Sequence, residues 1–201
     1  MESMTEFWDV VHANKMERYQ VNTRYGKVMN TLAVKKMLKP GIKVLEIGVG
    51  NGDVAIKLKQ LGCDVSAVDI SKVALDRLAS ILTRGYLNTE WDQLPNDTFD
   101  LITCHLVCQY ITNTELAAML RNCIRSLKRD GIMALQFSES DLLKKFSEAV
   151  DDQKDGDVHR GPGYMARAVY YAGGKVVLRK EAGNFPHQNS CWWVFHVQKL
   201  L

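Results

Sequence analysis

The stretch VLEIGVGNGDVAIKLKQLGCDVSAVDIS, residues 44–71, sets Gly48, Gly50 and Gly52 after one apolar run and ends a second run on Asp69. Glycine lets a main chain approach a ligand with no Cβ in the way. An ionised carboxylate offers two oxygens to two hydroxyl donors. The order strand, tight turn, helix, strand, acid therefore suits a nucleotide-like ligand. A dinucleotide fingerprint reads G-x-G-x-x-G, but here Asp53 stands where its third glycine belongs. That side chain is too large for the close helix–sheet approach a glycine allows, and an acid, Glu46, lies just before the turn. Both features disfavour NAD.

The elements that must hold these residues follow from periodicity. Residues 5–38 carry apolar side chains at mostly helical spacing, with a break near Asn22–Gly26, and Pro40-Gly41 then punctuates the chain. KVLEIGV, DVSAVDI, YLNTEW, FDLITCHLV and RDGIMALQFSE read as strands. Helices are expected at 53–61, at 71–84 with Ser71 as N-cap, and at 114–128, where Leu116, Met119, Leu120, Cys123, Ile124 and Leu127 form one stripe. Strands alternating with helices imply a parallel sheet covered on both faces. AGGKVVLRKE and SCWWVFHVQKL follow one another with only a loop between, so the sheet should end in an antiparallel pair. The expected architecture is α/β, a Rossmann-like seven-stranded sheet. A helical cap (1–39) precedes the core (40–201) within one domain. The polar, glycine-containing VDDQKDGDVHRGPGYMARA is expected to be an adaptable wall or lid.

Composition narrows the class. The chain has 201 residues, 46% hydrophobic and 24% charged, enough for one domain with a sizeable core. No apolar run approaches the roughly 20 residues that span a bilayer, and MESMTEFWDVVHANK is not a signal peptide, so a cytoplasmic protein with no membrane partner is expected. Five cysteines without a CxxC pair suggest neither a disulfide framework nor a metal site. A net charge of +3 is too small to argue for nucleic acid. Between Val10 and Pro40, however, Lys15, Arg18, Arg24, Lys27, Lys35, Lys36 and Lys39 face Glu17 alone. Such a stretch is either a solvated helix face or an attractor for an anionic substrate. Oligomeric state is not legible.

The series Glu46-Ile-Gly48-Val-Gly50-Asn-Gly52, Asp69, LPNDTFDLITCHLV, LKRDGIMAL and the terminal strand pair resembles the class I S-adenosylmethionine-dependent methyltransferases over residues 40–201. The resemblance implies S-adenosylmethionine as cofactor. Glu46, Gly48, Gly50, Asn51 and Gly52 would lie along its methionine and ribose, with Asp69 on the ribose hydroxyls and Ile70 beside it. Glu90 with Trp91 would meet the adenine, with Asp92 as the other candidate acid; Cys104 would lie beneath the methionine. His105 would face the methyl acceptor as base or hydrogen-bond acceptor. Tyr19, Arg24 and Tyr25, with His12, and the later His159, Tyr164 and His187, could close over substrate. No Pro-Pro or Pro-Cys dipeptide occurs, which removes two DNA-methylating classes, and there is no room for a recognition domain. A small, anionic metabolite remains, with oxygen slightly ahead of nitrogen as acceptor. A non-catalytic cofactor-binding relative, acting as partner or sensor, and a nucleotide-dependent oxidoreductase are the other classes weighed.

Overall fold

The computed structural model describes residues 3–14, 29, 31–140, 149–152, 157–184 and 190–200. Seven strands form one sheet: β1 (Lys43–Ile47), β2 (Asp64–Asp69), β3 (Arg84–Leu87), β4 (Phe99–His105), β5 (Leu127–Ser140), β8 (Gly174–Asn184) and β9 (Ser190–Lys199). Their order is β3-β2-β1-β4-β5-β9-β8. β1 to β5 run parallel, while β9 runs against both of its neighbours, β5 and β8. The chain winds outward from β1 to β3 and then restarts at β4 on the other side. That reversal leaves a crevice beyond the carboxyl ends of β1 and β4, where open α/β sheets take their ligands.

The helices are α1 (Met4–Ala13), α2 (Leu32–Met37), α3 (Asp53–Gln60), α4 (Lys72–Arg77), α5 (Asn113–Ser126) and α6 (Pro162–Tyr171). Strand alternation divides the core in two. On one face Val34, Val54, Leu58 and Ala74, from α2 to α4, pack on Val44, Val65, Leu101, Ala134 and Val194. On the other, Leu116, Met119, Leu120 and Cys123 of α5 with Met165 and Val169 of α6 pack on Leu45, Ile102, Leu135 and Phe195. α5 starts in a capping box between Thr112 and Glu115.

Three elements differ from the sequence reading. α4 ends at Arg77 instead of running to residue 84, and turns lead into β3. β3 covers Arg84–Leu87 and not the whole of YLNTEW, and Trp91 opens a 3₁₀ turn (Trp91–Gln93). The expected lid is built structure. β6 (Ala149–Asp152) and β7 (Asp157–Arg160) pair antiparallel, and α6 follows directly with Pro162 in its first turn. Proline is welcome there because the first helical N–H has no partner to lose.

Candidate functional site

The crevice is lined by the segment after β1. Gly48, Gly50 and Gly52 have φ of +73°, +52° and +87°, the left-handed region that side chains with a Cβ resist. A Cβ on Gly48 would overlap Val107, and one on Gly52 would overlap Leu78. Gly50 is bare on its inner side up to His12 Cε1, 3.6 Å from where a Cβ would stand. Asp69, at the end of β2, is 6% exposed. Its two oxygens accept the N–H groups of Gly50 at 3.0 Å and Ser71 at 2.9 Å. Each oxygen keeps a second lone pair, so the carboxylate is fixed in place and still able to accept two more donors. Ile70 sits between these anchors.

α1 lies across the crevice. Ser71 Oγ donates to Asp9, while Arg77 donates to the His12 carbonyl at 2.9 Å, the Gly50 carbonyl at 2.9 Å and Asn51 Oδ1 at 3.1 Å. One guanidinium thus ties the cap helix to the glycine turn. Trp8 stacks on His12 and meets Tyr110 edge-on, with ring centroids 5.6 and 5.1 Å apart. The helix therefore bridges from the β1–β2 side of the crevice to the turn after β4. Neither Arg77 nor Asp9 announces this role in the sequence; a charged residue on a short helix reads as surface.

After β3, Glu90 turns back on its own loop, accepting Leu87 N–H at 2.8 Å and Gln93 Nε2 at 3.1 Å. Trp91 is half-buried against the α5-side core, and Asp92 is exposed. Cys104 is fully buried and belongs to that same core, beside Cys108 and Cys123. Its thiol is pushed well up by the hydrogen bond with Cys108 and by burial, so only its main chain can face the crevice.

Beside the crevice runs a buried polar row. Alternation puts Glu46, Asp69, Thr103, His105, Gln136, Ser138 and His196 on the face covered by α2 to α4. Register sets His105 beside Gln136, and Ser138 Oγ lies 3.2 Å from His159 Nδ1. Leu106, directly after His105, has φ of +56°. A leucine there is strained, and such strain clusters at sites that need a sharp change of direction. The turn it starts is held by Arg160, which is 1% exposed and donates to Asn113 Oδ1 at 2.9 Å, to Ile111 O at 2.6 Å and to Cys108 O. Burial pulls its pKa down from the usual arginine value. Tyr164 is not brought to this row: it lines a groove between α5 and α6 on the opposite side of the sheet. Tyr19, Arg24, Tyr25 and His187 lie outside the described residues.

Residues 44–131 match the methyltransferase domain family. Within that segment the chain resembles the methyltransferases. The chain is similar to the ribosomal protein L11 methyltransferase of Aquifex aeolicus, at 28% identity over 68% of this chain and 56% of that protein. It is 35% identical to the ubiquinone/menaquinone biosynthesis C-methyltransferase UbiE of Xanthomonas oryzae pv. oryzae over 51% of this chain and 45% of that one. The chain spans about half the length of these curated relatives. Its fold matches the 1,6-didemethyltoxoflavin-N1-methyltransferase of Burkholderia thailandensis, solved with S-adenosylhomocysteine, at a TM-score of 0.74. That match has 14% identity and covers 98% of this chain and 86% of that one. The residues of the crevice fit S-adenosylmethionine: a bare glycine turn for its methionine and ribose, and a fixed carboxylate with lone pairs to spare for the ribose hydroxyls.

Proposed function

We propose that the protein is an S-adenosylmethionine-dependent methyltransferase acting on a small, anionic metabolite, with an oxygen atom as the favoured acceptor. The carrying observation is Asp69, held by Gly50 and Ser71 beside the glycine turn and beneath α1. When bound, the cofactor supplies a methyl group already activated by a positive sulfur. The chain's part is then to position the nucleophile in line with it and to exclude water. α1, pinned by Arg77, covers the crevice. His105, 4% exposed at the end of β4, takes or accepts the hydroxyl proton of the acceptor. That role favours oxygen, since a hydroxyl needs such a partner more than an amine does. His159, joined to Ser138, extends the same wall. The anionic reading rests on the basic residues from Lys15 to Lys39, which would attract such a substrate.

The test is calorimetry with S-adenosylhomocysteine, followed by transfer of labelled methyl to metabolite pools at low and high salt. Asp69→Ala removes hydrogen bonds to a charged group, each worth about 1.5–3 kcal/mol, so affinity should fall at least about tenfold. His105→Ala should lower turnover and leave that affinity intact. Unchanged affinity in Asp69→Ala would sink the cofactor site; transfer that ignores salt would remove the anionic acceptor.

A further inference from the structure

Gln136 is fully buried, and among the described residues neither Oε1 nor Nε2 has a hydrogen-bond partner. Buried amides almost always find partners, and an orphaned one is a cost the fold carries for some reason. Its place suggests the reason. It pairs in register with His105 on one side and Val194 on the other, two residues before Ser138 and its contact with His159. His105, Gln136 and Ser138 stand toward the carboxyl ends of β4 and β5, on the crevice face, and His159 reaches them from β7. Thr103, two residues before His105, also has a buried hydroxyl without a partner. Both groups lie on the sheet face that carries His105 and Ser138, while the other orphaned groups include Ser126 Oγ at the far end of α5.

A primary amide presents one donor and one acceptor side by side, and the two exchange places when the group flips. Its complement is an edge with an N–H next to a C=O. We propose that Gln136 is a specificity residue that pairs with such an edge on the acceptor, so that the substrate is a lactam, a carboxamide or an oxo-substituted nitrogen heterocycle. The inference rests on the methyltransferase reading and adds the chemistry of the substrate. It is compatible with an anionic group elsewhere on the same molecule. A fully ionised phosphate, which only accepts, would satisfy at most half of the amide. Because no exposed surface adjoins Gln136, the acceptor must displace what covers it. On this face that cover includes Met29, which clusters with Ala134 and Val194, and Thr31, which is bonded to His196.

The test uses a matched pair of probes on the full chain with S-adenosylhomocysteine present: 2-pyridone, which has the edge, and N-methyl-2-pyridone, in which the donor is blocked. Ligand-observed NMR titration should show wild type binding 2-pyridone at least tenfold more tightly. Gln136→Met keeps the side-chain length and removes both polar atoms, so it should lose that preference, keep its affinity for S-adenosylhomocysteine, and melt no lower than wild type. Equal binding of the two probes by wild type, or by neither up to their solubility, overturns the assignment without any variant. A preference that survives in Gln136→Met overturns it as well, as does a lowered melting temperature, since that would show the amide to be satisfied in the core. Failure of wild type to bind S-adenosylhomocysteine would instead overturn the enzyme reading, and this inference with it.

Discussion

Val107 occupies the space a side chain on Gly48 would need, and this explains why that position has no Cβ. Two separate effects act on Gly48→Ala. The left-handed φ of +73° costs an alanine about 1–2 kcal/mol, and overlap with Val107 Cγ2 adds an overpacking cost of about 1–3 kcal/mol. The single variant should therefore lower the urea midpoint clearly, while adding Val107→Ala should recover the overlap part and leave the backbone part. A double variant no more stable than the sum of the two singles would show that the residues do not meet. The sequence made these glycines and Asp69 legible because their roles demand one residue type each. Gln136, Arg77 and Arg160 were not legible. Glutamine and arginine are ordinarily surface residues, and only the register with His105, or burial under a turn, gives them a role.

Arg77 supplies three hydrogen bonds to α1 or to the turn it covers. Arg77→Met keeps much of the aliphatic stem and removes those charge-assisted bonds, worth roughly 1.5–3 kcal/mol each where buried and less here, where the group is only partly buried. Amide hydrogen exchange across residues 4–13 should speed up by at least about tenfold, with β1 and β4 unaffected. Exchange at α1 equal to wild type would mean that Asp9–Ser71 and Trp8–Tyr110 hold the helix without it. The strands and the long α5 followed from apolar spacing, which the sheet and its two helical layers impose. The β6–β7 pair did not, because its short segments AVDD and DVHR show no apolar alternation to reveal them. α6 did carry a start signal, Gly161-Pro162, inside a stretch whose composition read as loop.

Strand order is a property of the whole molecule that periodicity leaves open. Seven strands were countable, but the insertion of β9 between β5 and β8 depends on long-range pairing. That insertion places His196 in the interior, where Nε2 lies 3.0 Å from Thr31 Oγ1 across 165 residues, joining the cap to the last strand. Burial lowers its pKa from the ordinary histidine value of 6.5. The unfolded chain therefore takes up a proton near pH 6.5 that the folded chain resists. Where the unfolded state binds more protons, stability rises with pH. The contribution of neutral His196 is thus complete above about pH 6.5 and is lost as pH falls toward the lower folded value, by at most about 1.4 kcal/mol per unit. Asp100 acts in a different window. Burial tends to raise its pKa, but Lys128 and the Lys43 N–H together pull it below 3.8. Its stabilisation is present above about pH 4 and disappears only below that. Between pH 8 and 5.5 the two do not overlap. His196→Gln keeps a polar group near Thr31 and removes the titration. Wild type should accordingly lose stability relative to this variant as pH falls from 7 to 5.5, read as converging or crossing urea midpoints. A constant difference across that range would mean that His196 titrates alike in the folded and unfolded chain.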